Sequence, residues 1–224
     1  MGNVILGWLT SVIQRLIYTA PVLIVSITVH EFAHAKTAEW LGDPTARYQG
    51  RVSLNPLRHL DPVGSIFMLL FGFGWGRPVP VASLNFKKPK RDNAIVALAG
   101  PVSNLLLACV WGLLYGALYF PLKGISYLVT LLQMSVIYNC MLCVFNLLPL
   151  PPLDGSRILA LILPPKAYAG WLRIERWSFL IVLALLWLGI LDPVITFLSG
   201  GLTAGIEASF VRLGNLIWQA FAGI

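Results

Sequence analysis

Residues 30–34 read His30-Glu31-Phe32-Ala33-His34. On a helix, two histidines four residues apart stand about 40° apart around the axis and one turn along it, so both imidazoles share a face. That face can hold a tetrahedral Zn²⁺ through two nitrogens, while the glutamate between them acts on a water at the metal. The preceding residues, Pro21-Val-Leu-Ile-Val-Ser-Ile-Thr-Val29, are apolar enough for membrane interior. The pentapeptide thus points to hydrolytic metal chemistry at bilayer depth. It also calls for a third ligand, because a catalytic zinc typically takes three from the protein and leaves one position open.

Asp154 is the best-placed acid for that position. It follows Asn146-Leu-Leu-Pro-Leu-Pro-Pro-Leu, in which Pro149, Pro151 and Pro152 forbid helix and force an extended backbone. Non-helical backbone at membrane depth is tolerated only where it is buried in protein or lines a watered cavity. A carboxylate there is expensive and usually functional. Other chemistry-bearing residues read more plainly. His59, in Leu-Arg-His-Leu-Asp, sits in a polar interfacial segment that suits a structural hydrogen bond or a substrate contact better than metal ligation. Asp61, before Pro62, reads as a turn residue. Cys140-x-x-Cys143 has redox or metal spacing, but it lies in an apolar run with no second pair, so thiol packing is expected.

The elements that position these groups belong to a membrane protein. Of 224 residues, 58% are hydrophobic and 11% charged, with mean hydropathy +0.79; a soluble domain carries roughly 25% charged residues. The formal charge of +7 is concentrated in segments 36–58, 77–91 and 157–176, next to apolar runs. That pattern marks a cytoplasmic side rather than nucleic-acid binding, with Lys87-Lys-Pro-Lys-Arg91 as an anchor near anionic lipid heads. The first residues lack a basic n-region and Arg15 interrupts the apolar stretch, so insertion by an internal span is expected.

Residues 4–19 read as a short span or an interfacial helix with Trp8 and Tyr18 as anchors. Pro21 is expected to start a helix that ends near Leu41, before Gly42-Asp43-Pro44. Residues 45–62 suggest short strands, and 63–75 a re-entrant or interfacial hairpin too short to cross. Residues 77–81 are extended by prolines. Spans follow at 93–120, kinked near Gly100-Pro101, and at 125–147, with the core of another at 179–191. Residues 193–224 fit one span, a hairpin or an interfacial helix. The fold class is an all-α polytopic membrane protein with about 4–6 transmembrane helices and a small membrane-associated β or extended region between the first zinc helix and the next span. We expect a single membrane-embedded domain over 1–224, with a core at 21–157, an N-terminal helix at 1–20 and C-terminal spans of open topology at 175–224. The 93–120 and 125–147 hairpin returns the chain to the side that carries His34.

His30-Glu-Phe-Ala-His34 together with Asn146-x-x-Pro-x-Pro-x-Leu-Asp154-Gly155 resembles the motif pair of the site-2 proteases, intramembrane zinc metalloproteases. Gly50-Arg-Val-Ser-Leu-Asn-Pro56, Phe73-Gly-Trp-Gly-Arg-Pro-Val-Pro-Val81 and Ala99-Gly-Pro-x-x-Asn104 also resemble the compact bacterial members without a PDZ domain. The resemblance covers about residues 21–157. It implies that His30, His34 and Asp154 hold Zn²⁺, that Glu31 is the general base, and that Asn146 positions substrate or stabilises the oxyanion. Asn55, His59 and Asn104 are candidate substrate-binding residues, Asn104 equally a helix-packing group. The implied activity is hydrolysis of peptide bonds in or near transmembrane segments of membrane-anchored proteins, in regulated intramembrane proteolysis. The implied substrates are single-pass proteins or signal-peptide remnants, and the implied location is the bacterial cytoplasmic membrane with the site toward the cytoplasmic side. A zinc-binding transporter or channel, or a catalytically silent scaffold, uses the same ligands. Glu31 separates these classes, since a transport site needs no base between its ligands.

Overall fold

The computed structural model describes residues 2–71 and 74–223, so Phe73 lies outside the described residues. Helix α1 (Gly2–Gln14), a π-helical turn (Arg15–Thr19) and α2 (Ala20–Trp40) run on without a break. The expected helix start at Pro21 is therefore corrected. A proline has no N–H for the carbonyl one turn earlier, which here is Ile17. The Tyr127 hydroxyl donates to that carbonyl at 3.2 Å instead, and the Ala20 N–H reaches back to Arg15. The widened turn and the borrowed donor let the helix pass through the proline.

Four stretches are long and apolar enough to cross a membrane: Leu6–Trp40, Pro89–Leu122, Ser126–Leu147 and Asp192–Ala222. Among the described residues that is the lower end of the expected range. Helix α3 is Thr45–Tyr48 and α4 is Pro62–Phe71. Helix α5 (Pro89–Leu122) continues through Pro101; its 34 residues reach about 51 Å, well beyond the hydrocarbon thickness. Helix α6 (Ser126–Leu147) returns beside it, followed by α7 (Asp154–Ile162) and α8 (Pro165–Trp187). The span expected at 179–191 is cut short. Helix α8 ends at Trp187, and Gly189 then takes φ +68, so the helix stops before the expected end at 191. The open question over 193–224 resolves into one helix: α9 (Asp192–Ile206), a π turn (Glu207–Val211) and α10 (Arg212–Ala222).

Helix α5 is the hub, packing on α2, α6, α7 and α10. Its approach to the C-terminal helix is backbone on backbone: a Cβ on Gly116 would collide with the Val211 carbonyl. Without a hydrophobic effect between helices in lipid, such small-residue contacts let dispersion hold the pair. Ala108 of α5, Val136 and Cys140 of α6 and Ile206 of α9 form the central cluster. Cys140 and Cys143 are buried free thiols within it and beside it.

The short strands expected over 45–62 do not form. Among the described residues this region holds α3, a 3₁₀ turn (Pro56–Arg58) and one isolated antiparallel bridge between Leu60 and Gly76. Side-chain caps compete with any ladder: Asn55 accepts from Leu57 N–H at 3.0 Å and Asp61 from Gly64 N–H at 2.8 Å. Residues 72–73 of the hairpin expected over 63–75 lie outside the described residues, but Trp75 lies back against α4, so that a Cβ on Gly64 would strike the Trp75 carbonyl.

One buried carboxylate ties the two connecting loops together. Asp43 accepts from Thr45 N–H (3.1 Å) and Oγ1 (2.5 Å), Ala82 N–H (2.7 Å) and Asn85 Nδ2 (2.7 Å). Burial opposes the Asp43 charge, but these donors outweigh it and hold the carboxyl below its ordinary range. Its contribution is therefore complete above the ordinary carboxylate pKa and is lost as pH falls through the lower folded value. Asp43→Ala should cost about 2 kcal/mol and weaken the acid-side dependence, as read by thermal unfolding in detergent across pH.

Candidate metal centre

The three candidate ligands come from two helices. His30 and His34 lie one turn apart on the buried face of α2, and Asp154 is the first residue of α7. An acid in that first turn also complements the helix dipole. Helix α7 can approach because Gly155 has no side chain: a Cβ there would collide with the carbonyls of Leu147 and Leu148 at the end of α6. The proline-rich 149–153 stretch makes the reversal, and it delivers Asp154 to the histidines and Asn146 to the same cavity.

His30 Nε2 and His34 Nε2 are 2.9 Å apart, and each is 3.2 Å from Asp154 Oδ2. The far side of each ring explains what these atoms carry. His30 Nδ1 faces Asn104 Oδ1 at 2.6 Å, and His34 Nδ1 faces the Val96 carbonyl at 2.7 Å. A carbonyl oxygen only accepts, so both imidazoles donate from Nδ1 and each neutral ring is left with a lone pair on Nε2. Two lone pairs and a carboxylate oxygen then converge with no proton between them, and Asp154 Oδ2 is buried with no hydrogen-bond donor among the described residues. Such a set is repulsive unless a cation joins it. The spacing suits one: tetrahedral ligands about 2.0–2.1 Å from zinc stand about 3.3 Å from each other. His30, His34 and Asp154 are positioned to bind a metal ion.

Gly100 on α5 makes the room. A Cβ at this residue would stand 2.6 Å from His30 Nε2 and closer still to His34 Nε2. The sequence marked Gly100 as a kink and as part of the Ala99-Gly-Pro-x-x-Asn104 motif, without a role at the metal; its spacing to Asn104, one turn on, is the signal that both face α2. The open side of the cluster meets a cavity of about 500 Å³, whose polar lining includes Glu31, Asn146 and Arg157. Glu31 Oε2 accepts from Val79 N–H at 3.1 Å, and Asn146 Nδ2 donates to the Leu142 carbonyl at 3.0 Å. Trp75 and Phe179, 5.2 Å apart in edge-to-face contact, close one wall.

The other sequence candidates lie elsewhere. Asn55 is exposed and caps the 3₁₀ turn. His59 is fully buried outside the cavity lining; its Nε2 meets the Ser53 carbonyl at 2.6 Å and its own carbonyl accepts from Arg77 N–H. Asn104 is fully buried behind His30, away from the cavity. Arg51, which the sequence did not single out, donates to the Arg77 carbonyl, so both backbone groups of Arg77 are held by the 51–59 loop. That fixes the extended 76–82 segment whose Gly76, Pro78, Val79 and Val81 line the cavity.

Comparison with known proteins agrees with this chemistry. The sequence model of Peptidase family M50 matches residues 121–189. YwhC of Bacillus subtilis, provisionally named a zinc metalloprotease, is 44% identical over 207 residues, spanning 90% of this chain and 93% of its own. Rip2 of Mycolicibacterium smegmatis, named in the same provisional way, is 34% identical over 173 residues, 73% of this chain and 64% of Rip2. Zinc metalloprotease MJ0392 of Methanocaldococcus jannaschii is 29% identical over 144 residues, 64% of this chain and 34% of its own. No solved structure matches the chain. Gly100→Ala should leave a folded protein that no longer retains zinc; metal analysis of the purified variant should fall from about one zinc per chain to near zero, because a methyl group would push both ligand nitrogens out of place.

Proposed function

The chain belongs to Peptidase family M50, the site-2 proteases, and from that footing we propose that it is an intramembrane endopeptidase that cuts membrane-anchored proteins in or near their transmembrane segments. The observation that carries this reading is the convergence of His30 Nε2, His34 Nε2 and Asp154 Oδ2 on a membrane-spanning helix, with Glu31 beside them on one cavity wall. When bound, zinc supplies Lewis acidity at that cluster, enough to ionise a water near neutral pH.

The chain's own groups do the rest. Glu31, steadied by the Val79 N–H, takes a proton from the attacking water and passes it to the leaving amine. Asn146 keeps one amide N–H on the Leu142 carbonyl and offers the other to the developing oxyanion. A substrate peptide bond must leave its helix to react, since helical amides are hydrogen-bonded and shielded. The extended 76–82 segment, pinned on its other side by the 51–59 loop, receives the unwound stretch as an added strand. The basic segments beside the apolar runs support a cytoplasmic position for this end of the bundle. The substrates that suit such a site are single-pass proteins and signal-peptide remnants, and 1–224 acts as one membrane-embedded domain.

Glu31→Gln should retain zinc yet lose cleavage of a co-expressed single-pass substrate by about 10²–10⁴-fold. Undiminished cleavage by that variant would remove the general-base role, and a metal-binding transporter or scaffold would then be the better reading. Asn146→Ala should lower kcat by about 10²–10³-fold, since one oxyanion donor is worth about 3 kcal/mol. A cysteine at Val81 should cross-link to a cysteine placed beside the substrate's scissile bond; cross-linking from the 45–50 segment instead would contradict the strand-addition step.

A further inference from the structure

Behind His30 runs a buried polar chain that the reaction does not use. Asn104, Asn139 and Ser26 are each at most 1% exposed, and they come from α5, α6 and α2. A buried amide inside a bundle is costly unless every donor and acceptor is met. Here they are met in one direction only. Ser26 Oγ donates to the Val22 carbonyl at 2.8 Å, so toward Asn139 it can only accept. Asn139 Nδ2 donates to Ser26 Oγ (2.9 Å) and to the Ser135 carbonyl (2.8 Å). Both of its amide hydrogens are thereby used, and its Oδ1 must point the other way. Oδ1 accepts from Asn104 Nδ2 at 2.9 Å, and the same nitrogen also reaches the Ser26 carbonyl at 3.3 Å. Asn104 Oδ1 is then turned toward His30 Nδ1.

We infer that Asn139 is a positioning residue for the metal centre: it sets the orientation of the Asn104 amide, and through it the His30 tautomer that leaves a lone pair on Nε2. With Asn139 removed, only the longer 3.3 Å contact to the Ser26 carbonyl still holds the Asn104 amide, which can then rotate and present an N–H to His30 Nδ1. That nitrogen would then accept, the proton would sit on Nε2, and a ligand would be lost. The chain of orientations starts at a backbone carbonyl of α2 and ends at a ligand on the same helix, passing through the two helices that carry Gly100 and Asn146. Outer partners of this kind typically govern metal affinity by 10–100-fold.

This inference rests on the metal reading of the site, so the test uses zinc affinity rather than proteolysis. In full-length protein in detergent, titrated against a competing chelator, Asn139→Leu should weaken zinc binding by about 10–100-fold. The Asn104→Asp/Asn139→Leu double variant should recover most of that loss, because a carboxylate at 104 accepts from His30 Nδ1 whichever way it is turned. If Asn139→Leu does not accumulate, Asn139→Ala, which removes the amide without adding branched apolar atoms, carries the same comparison. Zinc affinity unchanged in the single variant would overturn the inference. So would a loss that the carboxylate fails to recover, since that would assign Asn139 to packing alone. Wild-type protein that binds no zinc would instead refute the metal reading itself.

Discussion

Everything in this molecule is arranged around three acceptor atoms that repel one another. His30 Nε2, His34 Nε2 and Asp154 Oδ2 lie within 2.9–3.2 Å, each ring having given its proton to an oxygen on the far side. In the low dielectric of a membrane interior this convergence is unfavourable without a cation, and the folded chain holds it in place. The cofactor is zinc, as the family and its named relatives have it. The cost of assembling the site in apolar surroundings is what makes it a strong site once the ion is present.

Holding the cluster requires close backbone approach at several places, and the sequence supplies it by omission. Gly100 leaves the space between α5 and the histidines, Gly155 lets α7 reach the end of α6, and Gly116 lets the C-terminal helix seat against α5. Prolines supply the complementary constraint. Pro149, Pro151 and Pro152 stop α6 and turn the chain so that Asp154 begins a new helix beside α2. The connecting loops are then fixed by buried polar groups, Asp43 on Ala82 and Asn85 and the 51–59 loop on Arg77, and the cavity wall at 76–82 follows from that fixing.

The metal-ligand set was the most legible part of the sequence, because ligation imposes residue type and spacing together: the histidine pair and the acid after the proline break come within reach of one ion, and the intervening glutamate lines the same cavity. Local irregularity was harder to read. Pro21 reads as a helix start in isolation, yet the helix runs through it because a tyrosine more than a hundred residues away satisfies the orphaned carbonyl. Residues 45–62 alternate like strands, but Asn55, Asp61 and Asp43 cap their own neighbours and leave no ladder to form. Asn139 was missed altogether. A single amide in an apolar run carries no motif, and its role depends on which helices face it; the available signal was its position two turns before Asn146 on the same face of α6.

The most direct test of the account is X-ray absorption at the zinc edge on purified full-length protein. Ligation by His30, His34 and Asp154 predicts a first shell of nitrogen and oxygen only, at about 2.0–2.1 Å, with the outer scattering of two imidazoles. His34→Ala should remove one imidazole from that signature. A sulfur shell at about 2.3 Å would place the metal on Cys109, Cys140 or Cys143 instead and would contradict the central claim.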